Sequence, residues 1–84
     1  MKNVCPVCGY DALKEPAYDE HLTPSYKICP SCYFEYGYDD EAAGITHQQW
    51  REQWIAKGMP WKSAKEKPAN WNPKKQLENI SIYL

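Results

Sequence analysis

The stretch YKICPSCYFEYGYDD, residues 26–40, places two cysteines, separated by two residues, inside a segment that otherwise alternates like a β-strand. One such pair is ambiguous. It can be a redox site, half of a metal site or half of a disulfide framework. The start of the chain, MKNVCPVCGY, supplies a second pair. Together Cys5, Cys8, Cys29 and Cys32 form the pattern C-x2-C-x20-C-x2-C, within the spacing range of a zinc site. Two cysteines in one tight turn can aim both sulfurs at the same ion. Pro6 and Pro30 stiffen the turns by fixing φ, and Gly9 removes a Cβ behind the first pair. Two turns then supply the four thiolates that Zn²⁺ takes tetrahedrally at about 2.3 Å.

Size makes such a site consequential. The chain has 84 residues, which is short for a self-sufficient hydrophobic core. A structural zinc contributes roughly 10–16 kcal/mol of apparent binding energy at neutral pH. That matches or exceeds the whole net stability of a small domain, about 5–15 kcal/mol. The first residues contain no apolar run of signal-peptide length, and no stretch is apolar enough to span a membrane. The expectation is a cytoplasmic protein without membrane contact, where thiols stay reduced and metal binding is favoured over two disulfides or four free thiols. A thioredoxin-like role for one pair needs a βαβ setting that the sequence lacks. A closed four-thiolate site leaves no position for a reacting water, so no enzyme is expected.

The cysteine-bearing part, residues 1–38, reads as β-like, with SYKIC and YFEYGY as short strands on either side of the second pair. Residues 39–84 read as a helical extension within the same single domain, 1–84. DDEAAG suits a short helical turn capped by Asp39 or Asp40 and stopped by Gly44. The best helix follows in ITHQQWREQWIAKGMP. Thr46 and Gln49 form a capping box, Ile45 and Trp50 occupy the staple positions, and Gly58 with Pro60 ends it. A second, shorter helix is expected over NPKKQLENI, with Asn72 as cap and Pro73 at its first position. ISIYL reads as a strand or a docked tail.

Charge is unevenly distributed. Residues 1–44 carry eight acids against three lysines, a net of −5, whereas residues 57–75 carry six lysines against Glu66, a net of +5. A solvated or intramolecular pairing is the simpler reading, and a basic patch for an anionic partner is the sharper one. The aromatics (one Phe, seven Tyr and four Trp) pose the same choice. Trp50, Trp54, Trp61 and Trp71 read first as core, since each buries about 150–250 Å². Their alternative is a stacking platform for single-stranded nucleic acid beside the lysines. For Tyr36 and Tyr38, on the ribbon edge, the alternative to core is contact with a partner chain. His21 reads as a loop histidine and His47 as a packing or surface residue, with no serine or free cysteine to make it catalytic.

The knuckles CPVCGY and CPSC resemble those of rubredoxin, a small electron carrier with one iron on four cysteines, apart from Tyr33 where that family has glycine. The shorter gap between the pairs and the helical second half also have no counterpart there, so zinc is favoured over iron. More of the chain, about residues 4–80, resembles the bacterial cysteine-rich CPCC-type proteins. The residues that carry this likeness are CPVCGYDALKEP, SYKICPSCYFEYGYDD and GMPWKSAKEKPANWNPKKQLENI. Val7 stands where that family's name implies a further cysteine. The resemblance implies a zinc-ribbon or rubredoxin-like fold and metal binding, with no established activity. The combined expectation is an α+β fold, a small zinc ribbon with an aromatic-rich C-terminal helical extension. Cys5, Cys8, Cys29 and Cys32 would hold Zn²⁺, with Fe as alternative. The expected role is that of a non-enzymatic protein-interaction module, with a rubredoxin-like electron carrier or weak nucleic-acid binding as alternatives.

Overall fold

The computed structural model describes residues 2–61 and 67–84. Among them the regular structure is mostly helical, and β structure is confined to three isolated antiparallel bridges: Asn3 with Leu13, Tyr18 with Pro24, and Ile28 with Glu35. The first and third bridges each clasp a cysteine turn. The two turns share one backbone design. The Gly9 N–H donates to the Cys5 carbonyl at 2.9 Å, and the Cys5 N–H donates to the Tyr10 carbonyl at 2.7 Å. In the second turn the Tyr33 N–H donates to the Cys29 carbonyl at 2.8 Å, and the Cys29 N–H to the Phe34 carbonyl at 3.0 Å.

The expected strands SYKIC and YFEYGY are therefore corrected to single bridges. Tyr33 and Gly37 both adopt positive φ, at 69° and 92°, and turn the chain at each end of residues 34–36. The alternation survives only over that short run, where Phe34 and Tyr36 are buried and Glu35 lies further out. Tyr36 consequently belongs to the core, not to an edge open to partners, while Tyr38 is 55% exposed.

A π-helical turn, Tyr38–Ala42, begins one residue before the expected aspartate cap. Asp39 and Asp40 still serve its entry, from inside the turn: Asp39 accepts from the Glu35 N–H at 2.8 Å, and Asp40 from the Gly37 N–H at 2.7 Å. The next helix, α1 (His47–Ala56), has the expected capping box. Thr46 Oγ1 accepts from the Gln49 N–H and Gln49 Oε1 from the Thr46 N–H, both at 3.0 Å. It ends with Gly58 at φ 93°. There the Gly58 N–H reaches the Ile55 carbonyl and the Met59 N–H the Trp54 carbonyl, a Schellman closure.

The second helix, α2 (Pro73–Leu77), starts as expected with Asn72 Oδ1 accepting from the N–H groups of Lys74 and Lys75. A 3₁₀ turn, Glu78–Ile80, extends it. Ser81 then adopts φ 62°, and the Ile82 N–H bonds back to the Leu77 carbonyl. ISIYL is thus a docked tail, with Ile82 packed on the core and Tyr83 and Leu84 exposed.

The core gathers the four cysteines with Val7, Ala17, Phe34, Tyr36, Trp54 and Leu77. His47, Trp50, Arg51 and Trp54 follow the i, i+3, i+4, i+7 spacing of one helix face. Trp54 is buried and Trp50 packs against the core. No helix among the described residues is long and apolar enough to cross a membrane.

Candidate metal centre

The two turns bring Cys5, Cys8, Cys29 and Cys32 together. All four sulfurs lie within 4.8 Å of one another, and every one of these residues is essentially sealed from solvent. All four are free thiols. The Cys5 to Cys32 sulfur separation is 3.8 Å and that from Cys8 to Cys29 is 3.7 Å, well beyond the bonded distance of about 2.05 Å. Four sulfurs placed tetrahedrally about 2.3 Å from a common centre would be separated by about 3.8 Å. The donor set and spacing thus suit a metal ion of the thiolate-binding kind.

The acid–base state of the cluster points the same way. Burial raises Cys8 and Cys32 well above the ordinary thiol value, and hydrogen bonding with Cys29 adds to the rise at both. Burial also opposes ionisation of Cys5, yet hydrogen bonds from Cys29, Cys32 and Cys8 hold it well below the usual range. Without a cation, burial opposes ionisation of the cluster, and Cys5 is the member whose neighbours favour its charged form. A divalent cation allows the cluster to lose more protons without leaving several bare charges in a dry site.

Side chains from the helical half fix the turns that carry the sulfurs. Arg51, on α1, donates from Nε to the Val7 carbonyl at 2.7 Å and from a terminal nitrogen to the Pro6 carbonyl at 3.0 Å. Trp50 Nε1 donates to the Cys32 carbonyl at 2.9 Å. Gln76, on α2, bridges both turns, with Nε2 on the Cys8 carbonyl at 3.3 Å and on Ser31 Oγ at 3.0 Å. Its Oε1 accepts from Trp71 Nε1 at 2.8 Å. Asn79 donates to the Gly9 carbonyl at 2.9 Å. These partners sit 18 to 70 residues from the turns they touch. Nothing local in the sequence marks Arg51, Gln76 or Asn79 for these contacts.

The histidines stand apart from the cluster. His21 is an exposed loop residue 3.6 Å from Glu20. His47 Nε2 lies 2.9 Å from the Tyr18 hydroxyl, which also donates to Asp40, and its ring meets Phe34 edge-on at 5.2 Å. Burial and the Asp40 charge push Tyr18 up. Burial would raise Asp40 too, but hydrogen bonds from Tyr18 and from backbone N–H groups hold it below the usual carboxylate range. This trio ties the 17–25 loop, the π-helical turn and α1 together.

The tryptophans also make mutual contacts: Trp54 with Trp71 at 6.5 Å and Trp61 with Trp71 at 5.2 Å, while Trp50 meets Phe34 at 5.4 Å. Among the described residues, no ion pair joins the basic stretch to the acidic half. Lys67 instead lies over the Trp71 ring, 5.9 Å from its centre. Lys62, Lys65 and Glu66, part of the basic stretch read from the sequence, lie outside the described residues.

Two proteins of Bacillus subtilis strain 168 are similar in sequence. Uncharacterized protein YoaQ is 32% identical over 69 residues, and uncharacterized protein YozI is 31% identical over 70 residues. Each match covers 66% of this chain and 58% of the relative. No family model matches the chain, and no solved structure does. The chain is thus similar over most of its length to part of two longer, uncharacterised Bacillus proteins.

Proposed function

We propose that the chain is a non-enzymatic zinc protein, with Zn²⁺ held by Cys5, Cys8, Cys29 and Cys32 in a closed structural site of the zinc-ribbon or CPCC kind. The observation that carries this reading is the convergence of four buried, unbonded sulfurs within 4.8 Å of one another, with the Cys5–Cys32 and Cys8–Cys29 separations at the tetrahedral value. A site with all four positions filled by thiolates orients protein rather than substrate. Its output would then be a surface fixed for a protein partner. Exposed Leu22, Tyr26 and Ile28 on the cysteine-bearing half are the side chains available for such contact.

Iron in the same cage, with electron transfer as the role, is the second reading. The rubredoxin likeness supports it despite the missing second glycine, because Tyr33 adopts the same left-handed conformation as Gly9. Elemental analysis of protein grown without added metal decides between them. One equivalent of zinc in colourless protein supports the first reading. A red protein that bleaches on reduction supports the second, and stoichiometric absence of both metals ends both.

A further inference from the structure

Tyr36 is the largest fully buried side chain, and its hydroxyl has no hydrogen-bond partner among the described residues. A buried hydroxyl left alone costs about 1–3 kcal/mol, so its persistence in a core this small calls for an explanation. Its ring is fixed on two sides, by Phe34 at 5.8 Å and Tyr18 at 5.7 Å, and its N–H bonds to the Lys27 carbonyl. The ring also forms part of the floor of a groove, of about 850 Å³, between the two cysteine-bearing loops, but the oxygen itself is sealed from solvent. The hydroxyl shares its buried core with the four cysteines, and its electrostatic coupling to them is strongest with Cys5.

We infer that the Tyr36 hydroxyl is a dedicated hydrogen-bond donor to the Cys5 sulfur in the metal-loaded cluster, a positioning residue that draws charge from one ligand. The inference rests on the metal reading above. A thiol is a weak acceptor, whereas a metal-bound thiolate is a good one, so the hydroxyl is satisfied when the cation arrives. Outer partners of this kind typically change metal affinity by about 10–100-fold when removed. Cys5 would thereby become the least electron-rich of the four ligands, and the one least open to alkylation or oxidation.

Cobalt-loaded protein tests this directly. The wild type is expected to show intense thiolate-to-cobalt charge-transfer bands. Tyr36→Phe should move part of that envelope to lower energy and weaken cobalt binding by about 10-fold. Tyr18→Phe removes a hydroxyl already occupied by Asp40 and His47, and should leave the bands in place. Unmoved bands, with affinity within about twofold of wild type in Tyr36→Phe, would overturn the Tyr36 assignment alone. A wild type without thiolate bands would overturn the metal reading and this inference with it. A readout that needs no variant is the cadmium-113-loaded wild type. The Tyr36 hydroxyl proton should show scalar coupling to the metal through sulfur, and a resolved hydroxyl resonance without that coupling would overturn the assignment even if Tyr36→Phe does not fold.

Discussion

The two cysteine turns have the same backbone but different sequences, CPVCG and CPSCY. Both place the residue after the second cysteine in the left-handed region, Gly9 at φ 86° and Tyr33 at φ 69°. The first turn faces α2. A Cβ on Gly9 would lie 2.2 Å from the Gln76 carbonyl oxygen, so glycine is required there by contact as well as by φ. The second turn faces the groove, and Tyr33 is 52% exposed. There the left-handed conformation is tolerated at a cost of about 1–2 kcal/mol. What surrounds a turn, rather than the turn itself, decides whether its last residue must be glycine.

The largest test of this comparison removes a ligand from either turn. Cys8→Ser and Cys29→Ser are expected to lose stoichiometric metal equally, and their thermal midpoints by circular dichroism to fall by the same amount. A variant that keeps full zinc content would show that the turns do not contribute alike.

Next comes pH, measured on metal-free protein. Cys5 is depressed in the fold, so stability from it is present above the unfolded thiol value and lost as pH falls. Cys8 and Cys32 are raised, so stability from them is present below that value and lost as pH rises. Denaturant titrations across pH should therefore show a maximum near the unfolded thiol pKa of about 8.5. Zinc-loaded protein should behave differently on acidification, releasing its metal as protons compete for the thiolates.

Substitution at the compared position itself should separate the turns. Gly9→Ala is expected to cost about 3 kcal/mol or more, because left-handed strain and overlap with backbone add. Tyr33→Gly should change stability by no more than about 1 kcal/mol, since relieved strain offsets added unfolded-state freedom and lost side-chain contact. Urea midpoints of the two variants measure the difference.

The smallest effects come from the side chains that clamp each turn. The first is held by a guanidinium and the second by an indole N–H. Arg51→Met should cost about 2 kcal/mol and Trp50→Phe about 1 kcal/mol through the lost hydrogen bonds. Zinc release to a chelator should be faster in both, and more so for Arg51→Met.

Much of this was legible locally. The four cysteines, the Thr46–Gln49 box, the Gly58 stop and the Asn72–Pro73 start each depend on residues a few positions apart, so spacing alone reveals them. The aromatic run after Cys32 misled because YFEYGY alternates like a strand, whereas Tyr33 and Gly37 adopt positive φ. Tyr at such a position carries no sequence signature. Arg51, Gln76 and Asn79 also gave no sign of reaching the knuckle carbonyls, for those contacts join segments far apart in the chain.

The primary structure alone thus set the ligand type, its two-plus-two grouping and the helix ends, because covalent geometry and neighbouring hydrogen bonds govern those features. Only three-dimensional packing decided that the sulfurs meet in a dry site, that Tyr36 lies inside, and which polar side chains reach the turns. Those outcomes depend on how distant surfaces exclude water together, a property that no short window of residues carries.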